Sequence, residues 1–409
     1  MTRKRYFFLI LILGMLTALS PFSIDMYLPG FPAIAKDLHT TTEEVARSLS
    51  SFFIGLAFGQ LLYGPLMDRY GRKRPLYFGL ILYIVVSVGC FSAKSINVLI
   101  ALRAIQALGS CAAGVAAMAM VRDIFPVKDN AKVFSLLILV LGASPMVAPT
   151  VGGYLTAAWG WQSVFIMLMS IATLILIAVI FSLPESYKPD KSYSLKPLPI
   201  INSFLGVIKV PQFYTYAIAT SLAFAGLFAY VAASPAVFME FFHVSSKIYG
   251  WIFAFLSIGF VGSSQLNSVL LRYFRSERIV IVALSWQAVI AIIFLAGSYY
   301  NWFGLYGTLA MIFLILCGIG ITNPNASALS LAPFSKNAGT ASSLMGTMQL
   351  GIGALSSFSV SLFKLTSTLP LAGLMMASSV IALIVLLIGR RMIVEEVEVD
   401  KNAMTSIGH

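Results

Sequence analysis

The chain has 409 residues, of which 59% are hydrophobic and only 10% charged, with a mean hydropathy of +0.91. Soluble domains run to roughly half apolar and a quarter charged, so this composition excludes an ordinary soluble enzyme and indicates a polytopic membrane protein. The net charge of +12 would point to nucleic acid only if the bases clustered on a soluble domain; here they flank apolar runs, as topology signals do.

The apolar runs are about 20 residues long, enough to cross roughly 30 Å of hydrocarbon as helices. They lack the polar–apolar alternation over about 10 residues that barrel strands require. In chain order, twelve spans are expected at 7–28, 45–67, 76–93, 97–121, 131–157, 162–183, 213–238, 249–271, 279–297, 303–323, 339–363 and 369–389. The basic start, Arg3-Lys4-Arg5, is read as the flank of span 1 and not as a signal peptide. The apolar run after it continues to Asp25 with no small-residue cleavage site.

Of the 27 Lys and Arg, 21 fall on the termini and on the even-numbered loops, which places both termini in the cytoplasm. Only 184–210 has the composition of a linker, with four prolines and four lysines. It divides the chain into an N-terminal six-helix half (1–184), a cytoplasmic linker (185–210), a C-terminal six-helix half (211–390) and a cytoplasmic tail (391–409). The halves echo each other weakly: Arg69-Tyr70-Gly71-Arg72 recurs as Arg272-Tyr273-Phe274-Arg275. The three cysteines lie inside apolar runs at no metal or disulfide spacing and read as filler.

Two charged residues fall within the body of an apolar run, where an unpaired charge costs at least about 2.5–3.5 kcal/mol and function or pairing is the default inference. Asp25 is one. If span 1 ends at Leu28, it is an interfacial acid; if the helix continues to Leu38, it moves toward the midplane, and this second reading is preferred. Arg103 is the other. It reads either as a buried structural cation or, with Gln106 and Ser110 continuing its face, as part of a helix lining a water-filled cavity.

Between spans 2 and 3 stands Gly64-Pro65-Leu66-Met67-Asp68-Arg69-Tyr70-Gly71-Arg72-Lys73-Arg74-Pro75. This pattern, G-x-L-x-D-R-x-G-R-K-x, resembles the loop between helices 2 and 3 of the major facilitator superfamily. Asp25-Met26-Tyr27-Leu28-Pro29-Gly30-Phe31-Pro32 and Leu99-x-x-x-Arg103-x-x-Gln106 resemble helices 1 and 4 of its twelve-span drug:proton antiporters, in particular the Bcr/CflA (bicyclomycin-resistance) branch. Pro145 and Ala148-Pro149-Thr150-Val151-Gly152-Gly153 resemble the antiporter signature of helix 5, with Ala148 where glycine is usual.

The resemblance implies an all-α membrane protein of the major facilitator fold, with 12 transmembrane helices in two halves. It implies proton-coupled multidrug efflux by alternating access, in the inner membrane of a bacterium. The alternative is a proton-coupled transporter of a small natural metabolite on the same fold. Asp25 and Arg103 are the expected proton-coupling pair. Gly64, Asp68, Arg69, Gly71, Arg72 and Arg122 form the expected conformational latch, with Asp68 facing Arg72, Arg122 or the start of span 11 near Gly339. Pro145, Pro149, Gly152 and Gly153 belong to the expected moving element. Spans 1, 4, 7 and 10 line the cavity in this superfamily, which makes Tyr27, Gln106, Met118, Phe224, Phe228, Tyr230 and Asn323 substrate candidates. Expected partners are small-molecule drugs or metabolites, protons and the lipid bilayer, with no nucleic acid, no metal and no cofactor; a monomer is usual. No enzyme is expected, since the three histidines lie outside the spans and no H-E-x-x-H or G-x-S-x-G motif occurs.

Overall fold

The structure is a computed structural model that describes residues 3–187, 189, 197–334 and 338–393. The first half begins with α1 (Arg3–Asp25), a 3-10 turn (Leu28–Gly30) and α2 (Phe31–Asp37), which together make one interrupted span. It continues through α3 (Thr42–Tyr70), α4 (Lys73–Phe91), α5 (Ile96–Ile124), α6 (Val127–Trp159) and α7 (Gln162–Ser182). A short helix, α8 (Pro197–Ile208), lies in the connection. The second half holds α9 (Pro211–Pro235) with a π-helical extension (Ala236–Phe241), α10 (Ser246–Tyr273), α11 (Ser276–Tyr299), α12 (Leu305–Leu331), α13 (Ala338–Val360) and α14 (Leu369–Arg390).

Among the described residues, eleven spans are long and apolar enough to cross a membrane. The twelfth is α13, richer in Ser, Thr, Gly and Gln, which packs against α3 and α9. The expected architecture of twelve helices in two six-helix halves is therefore present. Two details differ from the sequence reading. Span 1 runs on through α2, as the preferred reading of Asp25 required, but is broken directly after Asp25. The proline-rich connection also contains α8, because Pro197 and Pro199 fall in a first turn, where proline costs no helical hydrogen bond.

Helix starts and stops follow local chemistry. Thr41, Ser95 and Ser245 cap α3, α5 and α10 by accepting from the backbone N–H three residues on. Gly71 and Gly160 end α3 and α6 with φ of +83° and +81°, a backbone region open to glycine and strained for other residues.

The halves meet along α3–α13 and α6–α10. Their contact is concentrated away from the loop that carries Arg69–Arg74. At that far face Thr42 donates to Glu240, the Leu365 N–H donates to Glu43 at 3.1 Å, and Arg47 Nε donates to Ser361 at 3.3 Å. Ser50 and Ser357 share a hydrogen bond of 2.8 Å one turn deeper. Gly153 faces the Ser246 carbonyl and Gly250 faces Pro149 and Thr150, so two backbones approach where no side chain intervenes. Pro149 has no N–H to give the Pro145 carbonyl four residues earlier, and Ser257 of the other half donates to it at 3.5 Å.

Toward the basic face, the hydrogen bonds between halves reach Thr347 to Ala57 and Ser343 to Gln60. A side-chain carbon added at Gly64 or Gly339 would meet nothing within contact distance. One apolar cluster crosses between the halves, but the basic end of the second half has its own clusters, around Tyr216, Val280 and Leu329 and around Val207 and Phe213. The two halves are thus closed on the far face and parted near the basic one.

Candidate functional site

Asp25 is the last residue of α1, one turn after Pro21, and lies about 18 Å along the chain from the end of its span at 1.5 Å per helical residue. Its side chain is buried where the first half meets α9 and α10 of the second. Among the described residues, no hydrogen bond or ion pair reaches the carboxyl. The groups within its electrostatic reach are the phenols Tyr230 and Tyr249. Tyr249 Oη shares a 2.7 Å hydrogen bond with Ser234, whereas the buried Tyr230 Oη has no partner among the described residues. Tyr230 stacks on Phe253 with ring centroids 5.5 Å apart, which holds the hydroxyl in place. Behind Asp25, Gly152 lies so close to the Met26 carbonyl that a methyl group there would overlap it.

Arg103 is not the partner of Asp25. It is completely buried inside the first half, where Nη2 donates to the Ser23 carbonyl at 2.8 Å and Nη1 to Gln106 Oε1 at 2.7 Å. The guanidinium lies 4.2 Å from the Phe52 ring centroid and 4.5 Å from that of Tyr27. Gln106 passes the network on to Ser87 at 2.7 Å, and Ser23 Oγ closes it through Tyr83 at 2.6 Å. A cation taken from water loses several kcal/mol of hydration, and carbonyls and ring faces recover part of it. Of the two readings of this face, the structure fits the buried structural cation and not the cavity lining: Arg103, Gln106 and Ser110 are all fully buried, and the guanidinium draws its acceptors from spans 1 and 4 of its own half.

The substrate candidates separate accordingly. Tyr27 and Gln106 serve Arg103, with Tyr27 Oη also bonded to Ser48 at 2.8 Å. Met118 is half-buried against the apolar core. Phe224 and Phe228 form an aromatic row with Phe53 of the first half and Phe260, at centroid distances of 4.5 to 5.8 Å. Asn323 Oδ1 accepts from Gln349 at 2.9 Å and from Thr220 at 3.2 Å, so spans 7, 10 and 11 share one acceptor. The sequence gives no sign of Thr220, since a threonine in an apolar helix is unremarkable until its neighbours are known.

At the basic face Arg72 is the hub. It donates to Asp68 at 2.7 Å and to Asp123 at 2.8 Å, and stacks on Tyr187 at 4.3 Å. Burial works against its charge, but the bonds to Asp123 and Asp68 outweigh that and raise its pKa above the ordinary arginine value. Glu185, just past α7, accepts from the Arg72 and Lys73 backbone N–H groups, and Ser186 donates to Asp123. Of the three expected partners of Asp68, only Arg72 is met. Arg122 points instead toward the Phe134 ring, and Arg69 lies over Tyr70. Gly64 and Gly71 flank the cluster. Among the described residues, the Arg72 cluster is thus joined within the first half and to its exit segment. Pro145, Pro149 and Gly153 lie on the α6–α10 seam, and Gly152 packs on the break in span 1.

Two six-helix halves, a break beside a buried acid and one face closed define a polytopic transporter-type membrane protein. The chain belongs to the Major Facilitator Superfamily, whose profile matches residues 13–357. It is 33% identical to a bicyclomycin resistance protein homolog of Haemophilus influenzae, over 93% of this chain and 96% of that protein. It is 29% identical to the multidrug resistance protein MdtL of Escherichia fergusonii, over 91% and 93% of the two chains. In fold it is similar to a D-xylose-proton symporter, with a TM-score of 0.73 at 16% identity over 97% and 99% of the chains. It is likewise similar to an inward-facing bacterial homolog of the lysosomal transporter Spinster, with a TM-score of 0.70 at 14% identity over 95% and 96%.

Proposed function

We propose that the protein exports small drugs in exchange for protons, by alternating access of a cavity between its two halves. The observation that carries this reading is Asp25: a buried carboxyl at a helix break, at the junction of the halves, with no protein partner among the described residues. Leaving such a group unpaired is costly in a membrane unless it is used. The names of the bicyclomycin and multidrug resistance relatives support drugs as the cargo. The basic ends are assigned to the cytoplasm from the distribution of Lys and Arg in the sequence, which makes the state described here inward-facing.

In this scheme Asp25 takes a proton when the cavity opens outward and gives it up when the cavity opens inward. A substrate arriving from the inside competes for the deprotonated site. Arg103 holds span 1 against span 4 through the Ser23 carbonyl and so fixes the backbone that presents Asp25. Tyr230 offers a hydroxyl to either the carboxyl or the substrate from the opposite half. The Arg72 cluster keeps the inner ends of spans 2, 3 and 4 together while the halves rock.

Uphill drug transport in proteoliposomes under an imposed pH gradient tests this, with Asp25→Asn beside the wild type. Gradient-driven transport by the wild type that disappears in the variant is the expected result. Transport indifferent to the gradient in both would leave a facilitator, with Asp25 reduced to structure.

A further inference from the structure

A groove of about 420 Å³ opens on the outer surface of the first half. Helices α3 and α4 are joined by a tight loop, and each packs along α5, but they touch each other only sparsely. The space between them is therefore a V whose floor is Leu108 of α5 and whose walls are Leu62, Leu66, Phe78 and Leu82. Leu62 and Phe78 are exposed, so the groove faces whatever surrounds the bundle. At its basic end stand Arg74 and Tyr70.

We propose that this groove binds one anionic phospholipid, with an acyl chain between α3 and α4 and the headgroup on Arg74. The groove lies on membrane-spanning helices, so its surroundings are lipid tails, and its lining is apolar apart from the rim. Arg74 follows directly on a span turn, where headgroups lie. Its neighbours are engaged: Arg72 by two carboxylates, and Lys73 by the Tyr77 ring at 5.4 Å. Arg74 is exposed, and no carboxylate or hydrogen-bond acceptor reaches it among the described residues. One unpaired cation above one apolar channel matches a molecule with a single anionic head and a long tail. It does not match a polar solute, which would find only the Tyr63 and Tyr70 phenols beside Arg74 and an otherwise apolar lining. The inference rests on membrane residence alone and stands apart from the exchange mechanism.

The test is native mass spectrometry of the full chain, delipidated in detergent and titrated with phosphatidylglycerol or phosphatidylcholine. The wild type is expected to retain one phosphatidylglycerol in preference to phosphatidylcholine. Arg74→Gln should weaken phosphatidylglycerol binding about fivefold, the effect of one basic residue at a lipid surface, and leave phosphatidylcholine unchanged. Leu82→Phe, which fills the groove away from the headgroup, should weaken both. Arg278→Gln, an exposed arginine of the second half, should change neither. Equal retention of the two lipids by the wild type would overturn the proposal. So would an Arg74→Gln variant that keeps the preference, or an Arg278→Gln variant that loses as much. Circular dichroism of each variant separates a lost site from a lost fold.

Discussion

Gly153→Ala should unseat the closed far face. A methyl carbon at Gly153 falls 2.5 Å from the Ser246 carbonyl oxygen, with the Ser246 carbonyl carbon and Lys247 Cα close behind. These are backbone atoms in the first turn of α10 and cannot swing aside as a side chain would. The helices must part by roughly half an ångström or more to restore a normal contact in an interior packed this densely. Forcing one extra carbon into a packed seam costs about 1–3 kcal/mol, which lowers the closed population by roughly 5- to 150-fold relative to the open one. Double electron–electron resonance between spin labels at Ala158 and Ile248, both exposed, reads the seam directly. Cys90 and Cys111 are buried and stay unlabelled; Cys317→Ser removes the remaining thiol. The distance distribution should gain a longer component in Gly153→Ala. It should do so again in Gly250→Ala, where the added carbon would fall 2.7 Å from Thr150 Cα. Gly114→Ala, whose carbon meets nothing, is the control and should leave the distribution unchanged. A Gly153→Ala distribution identical to the wild type would refute the assignment of closure to the α6–α10 contact.

Other substitutions separate the roles argued above. Asp123→Asn should lower thermal stability by about 1–3 kcal/mol, since Asp123 receives both Arg72 and Ser186. Asp68→Asn, which loses one i,i+4 bond from a carboxylate about a third exposed, should cost under about 1 kcal/mol while slowing turnover more than it weakens drug binding; a loss confined to binding would argue against a latch. Arg103→Lys keeps the charge but loses the planar stack on Phe52 and Tyr27, and should cost about 2 kcal/mol in a denaturation assay. Tyr230→Phe removes a buried hydroxyl that has no partner, so stability should hold or rise while drug transport falls; a drop in stability would mean that the hydroxyl is bonded within the protein.

The sequence made the membrane architecture readable because span length and apolar composition are local properties. The continuation of span 1 past Leu28 was also expected, but its break was not, although Pro29, Gly30 and Pro32 crowd the six residues after Tyr27. What it concealed were the partners. Arg103 is held by the backbone carbonyl of Ser23, 80 residues away, and a carbonyl leaves no signature in a sequence. Polar spacing along α5 therefore left a wet face and a buried cation both open, and only the packing shows Gln106 occupied by the guanidinium. The Arg72 pair with Asp68 was visible as an i,i+4 spacing. Asp123 and Glu185 joined it only through the packing of α5 and the exit from α7. The far-face seam was the least visible, because it is made by glycines and by one proline-freed carbonyl, features that packed and unpacked helices share.

The seam between the halves has one further property. Its bonds join hydroxyls, backbone groups, single carboxylates and the Arg47 guanidinium to neutral partners. The three ion pairs found among the described residues all lie within the first half. Dissolved salt screens charge against charge far more than it disturbs a hydroxyl on a carbonyl. The rocking proposed for the two halves is therefore expected to be largely blind to ionic strength, as free in a bilayer shared with brine as in one shared with fresh water.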